Sequence, residues 1–323
     1  MHKIPVGVLG ASGYAGRELC GLITQHPGLS LAFASANEQR GQRARVGAVE
    51  LTYVATEDAP LSEAEVVFTA LPHGTAAKWV GNARSVGARV VDLSADFRPG
   101  GGESRIAQAP YGLTELMRAK IPGANIVANP GCYPTAILLA IAPLLVEGQL
   151  MPGATINVSA ASGVTGAGYS VRPDLQFAEV VEDFKAYAVG NEHRHIAEMR
   201  AVAAQLAGSE VDILFTPHLL PVARGILATI TVPIKSHTDD PAALWRRFYA
   251  NEPFVEIADQ PPSLRDVVRR NVVRLSVAKA ANVKQPTLII ISAIDNLVKG
   301  AAGQAVQNAN VLLGLAEQSG LPA

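Results

Sequence analysis

The chain has 323 residues, of which 49% are apolar and only 17% charged, with a net charge of −1. That length suggests about two domains, and the near-neutral charge argues against nucleic acid or an acidic membrane surface as a partner. Two cysteines, Cys20 and Cys132, are too few for a disulfide framework and point to a reducing compartment.

Met1-His2-Lys3-Ile4-Pro5 passes straight into a strand, so no signal peptide is expected. Apolar runs break well short of ~20 residues, so no membrane span is expected. Pro5–Leu9 reads as a short buried strand. Gly10-Ala11-Ser12-Gly13-Tyr14-Ala15-Gly16 follows, then a helical run from Arg17. Strand, glycine loop and helix together form the context in which glycines let backbone approach a pyrophosphate at a helix N-terminus. The spacing is G-x-x-G-x-x-G rather than the commoner G-x-G-x-x-G. Cys20 falls on the apolar face of that helix and reads as core.

Leu29–Ala34 is the second strand. No acid stands at its end to hold a ribose 2′-hydroxyl, as an NAD enzyme usually requires. Ser35, Arg40, Arg43 and Arg45 follow instead, which favours a 2′-phosphate and hence NADP. Glu38 leaves NAD open, and a solvated basic loop is the plainer alternative. Glu65–Leu71 is a third strand, ending in the polar loop Pro72-His73-Gly74-Thr75, a place where α/β folds bind ligands. A helix over Ala76–Val86 and a strand over Arg89–Asp92 come next. A Gly/Pro-rich loop then runs to Tyr111-Gly112. Arg98, before that loop, is a candidate clamp for a carboxylate or phosphate, or pairs with Asp96. Alternation of strands and helices down to Ala128 predicts a doubly wound parallel sheet.

Asn129-Pro130-Gly131-Cys132-Tyr133-Pro134-Thr135 joins a strand to an apolar helix over Ala136–Ala142. Pro134 sits where a first helical turn tolerates proline. A thiol there meets the positive end of a helix, which favours the thiolate.

The pattern then changes. Thr155–Ser159 is strand-like and leads into Ala160–Gly168, a stretch too rich in glycine for a helix or strand interior. Its N–H groups, with Ser162 and Gly163, are candidates to surround an anion. Asn191–Met199 opens a helix holding His193 and His195, with Glu198 one turn beyond His195. A histidine can exchange protons with a reactive cysteine near neutral pH, and a carboxylate one turn on can orient it. His-x-His without a third ligand nearby does not predict a metal. Arg224 is a second candidate anion contact, with a structural role at a strand start the plainer alternative. Strands over Leu227–Val232, Val272–Val277 and Thr287–Ser292 have fewer helices between them, so a mixed or antiparallel sheet is expected. The chain closes with a polar, glycine-punctuated helix start after Asp295, then an apolar helix. Packed back on the first domain, it would bring Asn296 and Lys299 to a cleft.

Taken together, Gly10–Gly16, Asn129–Thr135, Ser162–Gly168, His193–Glu198, Phe215–Ile226 and Asp295–Asn308 resemble the N-acetyl-gamma-glutamyl-phosphate reductase family over essentially the whole chain. The opening glycines alone are shared with aspartate-semialdehyde dehydrogenases. The resemblance implies a Rossmann domain over 1–131 joined by the C-terminal helix 299–323. It implies an α+β catalytic and oligomerisation domain with a mixed sheet over 132–298. It further implies a bacterial cytoplasmic enzyme that uses NADPH, forms dimers or tetramers, and carries its nucleophile at Cys132.

Cofactor contacts are expected from Gly10, Ser12, Gly13, Tyr14, Ala15, Gly16, Ser35, Arg40, Pro72, His73, Gly163 and Asn296. Substrate contacts are expected from Arg98, Asn129, Ser162, Gly163, Glu198, Arg224 and Lys299. His195, or else His193, would move the proton; spacing to Glu198 favours His195. Reductases of aspartyl phosphate or of carrier-bound aminoadipyl phosphate, and a non-enzymatic NADP-binding redox sensor, are the competing classes.

Overall fold

The computed structural model describes residues 3–46, 49–100, 109–169, 172–236 and 239–323. Positions 101–108, the centre of the expected Gly/Pro-rich loop, lie outside the described residues, as do Met1 and His2. The chain divides into two compact units, Met1–Gly131 with Ala301–Ala323, and Cys132–Gly300.

The first unit opens with β1 (Ile4–Leu9), α1 (Tyr14–Gln25) and β2 (Leu29–Ser35). A hairpin of β3 (Arg43–Val46) and β4 (Val49–Thr52) follows. Then come β5 (Val66–Thr69), α2 (Ala76–Ser85), β6 (Arg89–Asp92), the single turn α3 (Thr114–Met117) and β7 (Ile126–Ala128). Five strands pair in parallel in the order β2-β1-β5-β6-β7. Parallel strands covered on both faces must be apolar on both, and β5 is buried at every residue. Its Val66 and Phe68 join one core with Leu19, Cys20 and Val306; its Val67 faces the other, with Val80 and Ala83. Burial of each such large side chain is worth about 1.5–3 kcal/mol. Cys20 belongs to this core, where burial pushes its thiol up to about 12. Arg43 and Arg45 were expected on a loop but alternate outward along β3, since R-A-R-V has the period of a strand.

The second unit starts at α4 (Cys132–Val146), buried without a break from Tyr133 to Leu145. Pro143 lies inside it and lacks the N–H that Leu139 O would accept. Tyr249 Oη donates to that carbonyl instead, at 2.6 Å. β8 (Ile156–Gly163), the turn α5 (Phe177–Val180), β9 (Lys185–Ala186), α6 (His195–Ala207), β10 (Ile213–Leu220) and β11 (Ile226–Pro233) follow. They are succeeded by α7 (Ala243–Phe248), β12 (Val255–Ile257), β13 (Val273–Lys279) and β14 (Thr287–Ile294). These strands make one mixed sheet in the order β12-β13-β14-β11-β8-β10-β9. β8 and β10 are parallel, and β11 is antiparallel to both β8 and β14.

One expectation fails here, and one stretch left unassigned proves to be strand. Ala160–Gly163 is strand, not loop, because β8 is bonded on both sides. Phe215–Leu220 is likewise strand despite Pro217, whose carbonyl accepts from Tyr187 N at 3.1 Å.

A π-turn, Val298–Ala302, leads into α8 (Gly303–Leu313). α8 is polar at its start and apolar after, and its Gln304, Gln307, Asn308 and Asn310 are all fully buried in the first unit. There the amides replace water as partners: Asn308 Nδ2 donates to Gly112 O at 2.8 Å and to Asn129 Oδ1 at 2.9 Å. Among the described residues, no helix is long and apolar enough to cross a membrane.

Candidate active site

The glycine loop lies between β1 and α1 in the first unit. Gly10 has φ +79°, and a Cβ there would stand 2.4 Å from Ala70 O. A Cβ on Gly16 would stand 2.2 Å from Gly10 O, so the loop closes on itself only without side chains. Gly13 meets only Gly10 O, at 3.7 Å, which leaves room on its other side. No side chain caps α1 and no acid occupies its first turn. Backbone dipoles and open space together fit a dinucleotide pyrophosphate. Ser12, Tyr14 and Ala15 are carried in this same loop and first turn.

The expected 2′-phosphate pair separates. Arg40 is exposed on a turn after β2, whereas Ser35 is fully buried. Ser35 Oγ lies 3.1 Å from Thr56 Oγ1 and accepts from Gly10 N at 3.4 Å, so it braces the glycine loop rather than facing solvent. Pro72 and the exposed His73 sit beyond β5, and His73 Nδ1 accepts from Ala95 N at 2.8 Å.

Arg98 and Asn129 are built into the first unit. Arg98 is 5% exposed; its Nε donates to Asn129 O at 2.8 Å and its Nη2 to Leu93 O at 2.6 Å. Asp96, its expected ion-pair partner, caps α2 instead, accepting from Gly74, Ala76 and Ala77 N. Asn129 is fully buried, donating to Ala301 O and accepting from Asn308, so its amide is an internal brace and not an open substrate contact.

Cys132 is the first residue of α4 and is half-exposed. Tyr133 beside it is buried and packs edge-on against His193 (5.4 Å between centroids), His195 (6.1 Å) and Phe215 (5.0 Å). Its hydroxyl lies 3.1 Å from that of Tyr187. Burial pushes both phenols up and holds both tyrosines neutral.

The two histidines have different environments. His193 Nδ1 accepts from His195 N at 3.1 Å, so its proton sits on Nε2. Burial, then the Arg194 charge, pushes His193 down to about 4. It is therefore a neutral donor at working pH. His195 and Glu198 are both buried in the first turn of α6, three residues apart on one face.

Five further candidates make their contacts within the second unit. The expected anion cradle is spent on the chain itself: N–H groups of Gly163, Val164 and Thr165 donate to the carbonyls of Gly225, Val222 and Ala223. Gly163 is needed because a Cβ would stand 2.8 Å from both Arg224 N and Val222 O. Ser162 is buried and bonds Gly163 O at 3.0 Å. Asn296 ties this turn together, accepting from Gly225 N at 2.7 Å and donating to Thr165 Oγ1 at 2.9 Å. Arg224 pairs with the fully buried Asp295, Nε to Oδ2 3.0 Å. Lys299 is fully buried, its Nζ 5.5 Å from the Phe254 ring centre.

Sequence reasoning missed Tyr187, Phe215 and Asp295. Phe215 and Asp295 left a trace, each opening a stretch that carries the family resemblance; Tyr187 left none.

Comparison with known proteins adds two domain matches. Residues 5–124 match the semialdehyde dehydrogenase NAD binding domain, and 132–296 the semialdehyde dehydrogenase dimerisation domain. The chain is 40% identical to the N-acetyl-gamma-glutamyl-phosphate reductase of Halorhodospira halophila, covering 98% of each. It is 41% identical to that of Symbiobacterium thermophilum, covering 98% of this chain and 97% of the other. Aspartate semialdehyde dehydrogenase II of Vibrio cholerae shares the fold, with a TM-score of 0.78 at 19% identity over 97% of this chain and 99% of the other.

Proposed function

The chain belongs to the N-acetyl-gamma-glutamyl-phosphate reductase family, and from that membership we propose that it reduces N-acetyl-gamma-glutamyl phosphate to N-acetyl-L-glutamate 5-semialdehyde and phosphate, using NADPH, in arginine biosynthesis. One observation carries the chemistry: a half-exposed cysteine at a helix start, followed at once by Tyr133, whose ring packs on a histidine pair in which one member is fixed as a neutral donor.

The Cys132 thiolate attacks the γ-acyl carbon; the C–O bond to phosphate breaks, phosphate leaves, and a thioester remains on sulfur. The Gly10–Gly16 loop would hold NADPH, whose chemistry would be to supply a hydride to this thioester. His195 gives a proton to the oxygen, forming a thiohemiacetal. Its hydroxyl proton then returns to His195 as the C–S bond breaks, releasing the aldehyde and restoring the thiolate. Glu198 orients His195, and His193 Nε2–H donates to the substrate oxygen. Backbone N–H groups at the start of α4 stabilise the oxyanion.

Residues 1–131 with 299–323 serve as the NADP-binding domain, and 132–298 as the catalytic and oligomerisation domain. The protein works as a cytoplasmic homodimer or homotetramer, which sedimentation analysis would distinguish. The function is tested by running the reaction backwards. N-acetylglutamate semialdehyde, NADP and phosphate should give phosphate-dependent NADPH, while aspartate semialdehyde gives little. Faster turnover of aspartate semialdehyde, or none of either, overturns the assignment.

A further inference from the structure

We propose that the π-turn Val298–Ala302 is the seat that fixes the Cys132 side chain, with Gly300 as its positioning residue; this rests on Cys132 being the nucleophile. The turn carries one extra residue, closed by Gly300 N donating to Asp295 O at 2.9 Å, five positions back. Such insertions are rare and weaken the local ladder, so they persist where something else holds them. Asp295 is what holds this one. Its fully buried carboxylate accepts from Leu297 N (2.8 Å) and Val298 N (3.0 Å) through Oδ1, and from Arg269 N (2.7 Å) through Oδ2. Arg224 completes the set and neutralises the charge.

The extra residue is a glycine, and its place explains why. A Cβ at Gly300 would stand 2.8 Å from Cys132 Cβ, 3.2 Å from Ile294 Cδ1 and 3.3 Å from Asp295 O. Cys132 cannot retreat, because the rest of its helix is buried from Tyr133 onward. Backbone of the π-turn therefore rests directly on the β-carbon of the nucleophile and limits where its sulfur points. Arg224, expected to grip substrate, acts in this arrangement through Asp295 and the turn.

The test is alkylation of Cys132 by iodoacetamide across pH, read beside steady-state kinetics on the full-length protein. Cys20 is fully buried, so labelling reports Cys132. Gly300→Ala should lower kcat at least about a hundredfold, alter the rate and pH profile of alkylation, and leave NADPH affinity within twofold. Alkylation and kcat both within threefold of wild type would overturn the proposal. Should Gly300→Ala fail to fold, Arg224→Gln decides: a positioning role lowers kcat and alkylation about tenfold with KM for the acyl phosphate little changed. A raised KM with normal alkylation would make Arg224 a substrate contact and sink the seat. Cys132→Ser separates the premise: if that variant stays active, the nucleophile is wrong, whatever Gly300 does.

Discussion

Gly13 and Cys132 both stand at a helix start reached from a parallel strand of the first unit, yet the two starts are built in opposite ways. The α1 start is made of missing side chains. Gly10 and Gly16 admit no Cβ, Gly13 leaves open space, and nothing caps the helix. The α4 start is made of large side chains that converge from far along the chain: Tyr133, Tyr187, His193, His195 and Phe215. A backbone-built site binds a group common to many ligands, a phosphate. A site walled by side chains does particular chemistry. Substitutions should therefore injure binding at the first and turnover at the second.

The sharpest division is expected from Cys132→Ser. An alcohol lacks thiolate nucleophilicity at neutral pH, so kcat should fall by more than about 10⁴, beyond the usual range for loss of an acid–base group. NADPH affinity, measured by fluorescence quenching, should not change. Retention of a tenth of kcat, a barrier change of only about 1.4 kcal/mol, would end the covalent mechanism.

His195→Asn should follow, with kcat down about 10²–10⁴ and KM nearly constant. His193→Asn should raise KM more than it lowers kcat, since His193 is a neutral donor. If His193→Asn costs more in kcat, the two roles are exchanged while the cysteine chemistry stands.

The mirror-image result belongs to α1. Gly16→Ala places a Cβ 2.2 Å from Gly10 O, against backbone that cannot swing aside. NADPH affinity should drop at least about a hundredfold, roughly 2.8 kcal/mol. Iodoacetamide should still label Cys132 at the wild-type rate. Parallel losses of binding and labelling would break the contrast between the two starts.

That contrast also accounts for what was legible in the sequence. Glycines at fixed offsets after an apolar strand are a local signal, and so is a cysteine between Asn129-Pro130-Gly131 and an apolar run. The parallel sheet was equally plain, because strands buried on both faces are continuous apolar words such as Val66–Thr69. Tyr187 follows β9, which pairs with β10, and Phe215 lies where β10 pairs with β8, long-range pairings that no local pattern encodes. Punctuation misled once. Gly163 looked like loop but is slim enough to let 222–224 cross a strand. Arg98, Asn129 and Lys299 were picked for their charge or amide; burial, invisible in one sequence, turned them inward, while the half-buried Arg224 is held by the buried Asp295.

Acid stability gives a smaller effect that again marks the α4 side. His193 titrates near 4 when folded against an ordinary value of 6.5, so between these values the unfolded chain binds more protons. Stability should be intact above pH 6.5 and fall as pH drops towards 4. In thermal melts over that window, His193→Asn should flatten the fall. His26, also buried and shifted down, should keep a remainder of it. An unchanged slope would mean His193 is hydrated in solution.

The smallest effect tests how far the backbone-built site discriminates at all. Ser35 is turned inward to brace Gly10, which leaves the exposed Arg40 as the nearest expected guanidinium for a 2′-phosphate. An exposed ion pair is worth up to about 1 kcal/mol, roughly fivefold, and salt screens it. Wild-type kcat/KM with NADPH should exceed that with NADH at least about tenfold, a gap of about 1.4 kcal/mol. Arg40→Ala should remove only part of this gap by weakening NADPH alone, and less so at high salt. Equal losses with both cofactors would make Arg40 structural. A complete loss of preference would place the whole discrimination on one exposed side chain, more than such a contact supplies in water. The intermediate result is expected, because a loop built to accept any pyrophosphate leaves the choice between cofactors to its rim.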